Sequence, residues 1–157
     1  MIMQDKVFES TTPPLEVLAF RICEQDFCFD LDSVREIRGW TETTMLPHAQ
    51  PCVKGVINLR GAVVPVIDLA QRLGLGTMEP GPRHVIIIAV LEDKTVGLLA
   101  DVVSDILVIS RDDIQPIPEI VDAATRRFIS GVVVIEDRMI RKMDLRLALP
   151  AADRTAA

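Results

Sequence analysis

The sequence predicts an all-β fold built from two copies of one unit. Three observations carry this. The hydrophobic fraction is 49% but aromatics are only 4%, so the core rests on Val, Ile and Leu, and β-branched residues favour strands. Short apolar runs alternate with two- or three-residue polar turns. And one strand–turn–strand segment, GVINLRGAVVPVIDL (55–69), recurs without a gap 76 residues later as GVVVIEDRMIRKMDL. In that overlay Gly55 falls on Gly131, and Asp68-Leu69 on Asp144-Leu145. Upstream, Glu24-Gln25-Asp26 falls over Glu92-Asp93-Lys94, and Asp32-Ser33-Val34 over Asp101-Val102-Val103. Repetition at a fixed period marks a duplicated structural unit. Two halves of about 70 residues would each be marginal alone. They are expected to pack as one domain over 15–149, with subdomains at about 15–75 and 83–143 and a groove at their junction, where binding sites favour clefts.

In chain order, 1–14 is polar, ends in Pro13-Pro14 and reads as a flexible tail. Leu15 to Cys23 is a strand, Glu24-Gln25-Asp26 a turn, and Phe27 to Leu31 a second strand. Ser33-Val34-Arg35-Glu36 fits a capping box and predicts a short helical turn. Thr41 to Pro51 is a loop. Val53 to Leu59 and Ala62 to Ile67 form a hairpin about Arg60-Gly61. Pro65 cannot donate to a ladder, which places it at an edge or bulge. Asp68 caps a short helix from Leu69 to Leu73, ended by Gly74. The segment GLGTMEPGP (74–82) is a linker. Strands follow at His84–Leu91, Thr95–Leu99 and Ile106–Ser110, then an extended loop carrying Pro116 and Pro118. Phe128–Ile135 and Met139–Met143 form a closing hairpin, Leu145–Leu149 a closing helix, and 150–157 a C-terminal tail.

Charge and motifs exclude several functions. With 17 basic against 23 acidic residues the net charge is −6, which argues against nucleic acid and against an anionic membrane surface. The longest apolar run, Val85 to Leu91, is far short of the roughly 20 residues a membrane span needs. The N-terminus lacks the apolar stretch of a signal peptide. Three irregularly spaced cysteines, Cys23, Cys28 and Cys52, give no disulfide framework, and a reducing cytoplasm suits them. No phosphate loop, calcium loop or catalytic motif occurs. His48 and Cys52 are four apart, but Pro47 and Pro51 preclude the helix that would align them. No catalytic, metal or cofactor-binding residue is assigned. The basic excess between Arg126 and Arg146, six basic residues against three acidic, reads as a solvated strand face or part of a protein interface. One surface feature remains: Asn58-Leu59-Arg60-Gly61 presents Arg60 at a hairpin tip. Such a residue is either an ordinary turn charge or an interface anchor that stacks and hydrogen-bonds bidentately.

Residues 34 to 75 closely resemble the CheW family of chemotaxis coupling proteins. The resemblance rests on Gly55, Val56, Asn58, Leu59, Arg60, Gly61, Pro65, Asp68 and Leu69, after an acidic-ended turn and a Pro-rich loop. More loosely, it extends from Leu15 to Leu149. It implies two tandem five-stranded SH3-like barrels with short helices. It also implies a non-catalytic adaptor without cofactor. The partners implied are the cytoplasmic tip of methyl-accepting chemotaxis receptors and the regulatory domain of a CheA-type histidine kinase. The adaptor would be cytoplasmic and recruited to membrane receptor arrays. A CheW-like role in a non-flagellar chemosensory pathway is the alternative. By position, Val34, Glu36, Ile37 and Arg60 match the family's receptor-facing surface, with Asn58, Leu59 and Gly61 around Arg60. Val102 and Val103 would line the other side of the groove. Kinase contacts in the family use barrel ends. Two departures from the family pattern are Ala70, where Arg is common, and Arg141-Lys142 in the closing strand.

Overall fold

The computed structural model describes residues 13–150. The expected tails, 1–14 and 150–157, lie almost wholly outside these residues. Ten strands form two five-stranded sheets. They are β1 (Leu15–Ile22), β2 (Gln25–Asp30), β3 (Val34–Gly39), β4 (Val53–Leu59), β5 (Ala62–Asp68), β6 (Val85–Leu91), β7 (Lys94–Ala100), β8 (Val102–Ile109), β9 (Ile129–Ile135) and β10 (Arg138–Met143). Three one-turn helices join them: α1 (Leu69–Arg72), α2 (Ala123–Arg126) and α3 (Leu145–Ala148).

The strand orders are β8-β1-β2-β10-β9 and β3-β6-β7-β5-β4. Each order becomes the other when β1 to β5 are exchanged for β6 to β10. The repeat read from the sequence is therefore a structural repeat, but the two halves do not each form a sheet. Residues 34–100 supply the whole of one sheet, here the central barrel. Residues 15–30 and 102–143 supply the other, the outer barrel. The barrels are not tandem along the chain, and the expected subdomain division at 15–75 and 83–143 is corrected accordingly. The cause lies in pairing: β2 takes β10 as its parallel neighbour and β5 takes β7, so each half completes the other's sheet.

The two barrels close in the same way. In the central barrel, the chain leaving the edge strand β3 bridges to β4, with Thr44 N donating to Val56 O at 2.9 Å and Val56 N to Thr44 O at 2.8 Å. In the outer barrel, the chain leaving β8 does the same: Gln115 and Val132 exchange bonds of 2.8 and 3.0 Å. The shared glycines explain themselves here. A Cβ on Gly55 would lie 2.5 Å from Thr44 O, and one on Gly131 would lie 2.8 Å from Gln115 O. Only a residue without a side chain lets the closing segment approach. The repeated Asp is likewise structural: Asp68 caps α1 by accepting from Gln71 N, and Asp144 caps α3 by accepting from Arg146 N.

One interior strand of each sheet, β1 in one and β6 in the other, is buried on both faces. In β1, Val17 and Ala19 enter the outer barrel's interior with Cys28, Ile109, Val133 and Ile140. Leu18, Phe20 and Ile22 face the other way, into a larger core shared with Ile86, Ile87 and Ile88 of β6. That shared core is what binds the barrels together, because apolar area removed from water is the dominant favourable term in folding. It also explains why Val17–Phe20 within β1, and the whole of β6, are runs of consecutive apolar residues rather than alternating ones.

Several local expectations change. Ser33 to Glu36 forms no helical turn. A 3-10 turn occupies Leu31–Ser33, and Val34–Gly39 is a strand paired with β6. The β-branched Val34 and Ile37 fit that open edge, and the tertiary pairing overrides the local capping signature. The first hairpin turns at Cys23-Glu24, one residue earlier than expected, with φ of 51° and 65°. Strand β8 begins at Val102 rather than Ile106. Pro65 lies in an interior strand, but the β5–β7 ladder starts at Val66, past the missing donor. Helix α2, capped by Asp122 through Thr125 N at 2.8 Å, had no counterpart in the sequence reading.

Candidate functional site

The GVINLRG segment places its arginine as a two-residue hairpin requires. Arg60 and Gly61 are the turn residues, at φ 51° and 90°, and both values match the twist of the flanking strands. Asn58 does not supply the left-handed residue. It remains in β4, and its Oδ1 accepts from Gly61 N at 2.9 Å, tying the tip shut. Leu59 turns inward and is 8% exposed, so it anchors the tip in the core. Arg60 projects outward, with 66% of its side chain exposed.

Barrel closure then brings the two edges of the central sheet together. The Arg60 guanidinium pairs with Glu36 on β3, and Glu36 also receives Arg38 at 3.4 Å. Hydrogen bonding from Arg60, with Arg38 adding to it, holds the Glu36 carboxyl below its ordinary value; Glu36 in turn raises Arg60. This pair is exposed, and its importance is geometric: it fixes the direction of a long, otherwise mobile side chain. Ile37 beside it is 43% exposed, and Val63, opposite Asn58 in the hairpin, is 68% exposed. Val34 is partly buried against the shared core. The surface thus combines an oriented charge fork with exposed aliphatics, the composition of an interface anchor and its surround. Arg38 escaped the sequence reading because a helical turn was expected over 33–36. A strand reading would have put Glu36 and Arg38 on one face.

Val102 and Val103 occupy the corresponding place on β8 of the outer barrel, Val103 opposite Phe20 as Val34 is opposite Ala89. Val102 is 44% exposed and lines a groove with Arg21, Glu24, Arg83, His84 and Asp101, at the chain's crossing between barrels. Val103 packs inward on the shared core. The pair at Glu36 and Arg60 is not repeated: the matching positions are Asp105 and Glu136, both acidic.

Other candidates prove structural. The basic cluster is tied down within the fold: Arg126 donates to the Ile117 and Pro118 carbonyls, Arg138 pairs with Asp26, and Lys142 with Asp30. Arg141 lies over the Phe27 ring at 5.7 Å. Ala70 is fully buried, a position with no room for an arginine. His48 sits in a loop at φ 66°, and Cys52 is buried. Among the described residues no group of three or more His, Cys, Asp or Glu side chains is placed to hold a metal, and no helix is long and apolar enough to cross a membrane.

Comparison with known proteins decides the family. The model of the CheW-like domain matches residues 16–152. This chain belongs to the CheW family. The chemotaxis protein CheW of Rhizobium meliloti is 51% identical over 142 residues, covering 90% of this chain and 92% of that protein. CheW of Bacillus subtilis is 32% identical over 134 residues, 85% of this chain and 86% of the relative. The crystal structure of the scaffolding protein CheW of Thermoanaerobacter tengcongensis superposes with a TM-score of 0.76 at 30% identity, covering 84% of this chain and 90% of that one. CheW proteins are chemotaxis adaptors, scaffolds between chemoreceptors and a CheA-type kinase, and that adaptor role is the function of this CheW-family chain.

Proposed function

We propose that this protein joins the cytoplasmic tip of methyl-accepting receptors to the regulatory domain of a CheA-type kinase without catalysing a reaction. It would act in the cytoplasm and be recruited to receptor arrays. The receptor-facing surface is assigned to Glu36, Ile37 and Arg60 on the central barrel, with Val34 behind them and Val102 and Val103 across the inter-barrel groove. The observation that carries this is the Glu36–Arg60 pair. It holds an exposed arginine beside exposed Ile37 and Val63, on the segment most like the family pattern. Leu59, Asn58 and Gly61 build the tip rather than touch a partner.

The test is co-precipitation with a receptor cytoplasmic fragment and the kinase regulatory domain. Arg60→Ala removes the guanidinium, and Arg60→Glu sets two carboxylates against each other. Both are tip substitutions, and the melting temperature should stay essentially unchanged. Receptor binding should weaken about fivefold or more. Undiminished binding by folded variants would refute the assignment. Recovery of native partners from extract would name the pathway.

A further inference from the structure

The chain crosses between barrels twice, at Leu31–Ser33 and at Asp101. At the first crossing Asp32 is exposed in a 3-10 turn. At the second, Asp101 is held from both barrels at once. Its backbone N donates to Arg21 O of β1 at 3.0 Å. Its Oδ2 accepts from Cys23 N, in the β1–β2 turn of the outer barrel, at 2.7 Å. Its Oδ1 lies 3.3 Å from Nε2 of His84, at the entrance to β6 in the central barrel. The imidazole is itself oriented. Gly81 N donates to His84 Nδ1 at 2.9 Å, and His84 N donates to Gly81 O at 3.0 Å. With Nδ1 engaged as an acceptor, it is Nε2 that faces Asp101. One carboxylate thus spends each oxygen on a different barrel, immediately before Val102 at the lip of the groove.

We propose that Asp101 is a positioning residue. It fixes the angle between the barrels and the placement of Val102 and Val103 without touching a partner. The proposal rests on reading the inter-barrel groove as receptor-facing. The shared apolar core resists separation of the barrels but is non-directional. Directional bonds at a crossover are what restrict rotation of one barrel on the other. Cys23 contributes through its backbone. Its thiol is pushed up by burial and by the neighbouring Asp101 carboxylate, which makes it a poor nucleophile.

Asp101→Ala removes both side-chain bonds. Asp101→Asn keeps an oxygen for Cys23 N but has no second acceptor for His84. The decisive measurement is residual dipolar couplings on the full chain, fitted separately for residues 34–100 and for 15–30 with 102–143. Both sets should share one alignment tensor in the wild type, diverge in Asp101→Ala, and diverge less in Asp101→Asn. A common tensor in the alanine variant would overturn the proposal. Receptor-fragment binding should weaken about fivefold or more in Asp101→Ala, while affinity for the kinase regulatory domain stays within about twofold. Loosened barrels with unchanged receptor affinity would also overturn it. A wild-type protein that fails to bind the receptor fragment would remove the coupling reading itself, and the couplings would still report whether Asp101 joins the barrels.

Discussion

Replacing Gly55 by alanine tests how the central barrel closes. The added Cβ would lie 2.5 Å from Thr44 O and 2.9 Å from Thr43 Cβ and Oγ1. Ordinary contact requires the closing segment to retreat by roughly 1 Å. Its two bonds to Val56, now 2.9 and 2.8 Å, would stretch beyond hydrogen-bonding range. Their loss costs about 2 kcal/mol. Gly55 also has φ +141°, a conformation that L residues adopt at a cost of about 2 kcal/mol. The sum, about 4 kcal/mol, corresponds to a fall in melting temperature on the order of 10 °C for a chain of this size. Gly131→Ala supplies the comparison. Its Cβ meets Ile114 Cγ2 at 2.7 Å and Gln115 O at 2.8 Å, but Gly131 is absent from the positive-φ positions, so only closure is lost, at about 2 kcal/mol. Thermal melts followed by far-ultraviolet circular dichroism should therefore rank Gly55→Ala below Gly131→Ala, and both below the wild type. A Gly55→Ala protein melting within about 2 °C of the wild type would refute the closure account.

Two further outcomes follow from Arg72, which is half-buried, and Cys28, which is buried, beside those stated for Arg60 and Asp101. Arg72 donates to the Ala148 and Leu149 carbonyls at 2.9 and 3.1 Å and lies 5.0 Å from the Phe128 ring centre, so it satisfies the end of α3 from the other half of the chain. Arg72→Met should cost about 2 kcal/mol in urea unfolding, and Arg72→Lys should recover little because an ammonium cannot reproduce the planar fork. Burial pushes the Cys28 thiol up from its ordinary range to about 12. Its folded value is raised, so its contribution is complete below pH 9 and is lost as pH rises toward 12, at up to about 1.4 kcal/mol per pH unit. Cys28→Ala should show a correspondingly shallower decline in stability across that window; parallel curves would contradict it.

The sequence made the strands and the repeat legible because both are written in local pattern. Val85–Leu91 is a compact apolar run between turn residues, and GVINLRG carries its own hairpin. The helix starts at Asp68 and Asp144 were legible for the same reason, since a cap is a short-range signal. What escaped depends on distant partners. Ser33–Glu36 has the letters of a capping box, and only pairing with β6 makes it a strand. Cys23-Glu24, Glu92-Asp93 and Glu136-Asp137 all sit at positive φ without the Asn or Gly that usually announces it, so a turn's register could slip by one. The exchange of strands between halves leaves no local mark at all. Of the site, the Arg60 tip was readable from its motif, whereas its tie to Glu36 required the barrel to close. Leu59, placed beside Arg60 by sequence, is a core residue because alternation in β4 turns it inward.

The interleaving of the barrels also sets an order of assembly during synthesis. All five strands of the central barrel have been made once the chain reaches Ala100, whereas β1 and β2 must wait for β8, β9 and β10. On the ribosome, the earliest strands to emerge are thus among the last to find their neighbours. Phe20, Phe27 and Phe29, fully buried in the finished protein, lack their Ile86, Ile87 and Ile88 neighbours until β6 has been made. A central barrel already folded offers Ile86, Ile87 and Ile88 as a template on which that waiting hairpin can rest.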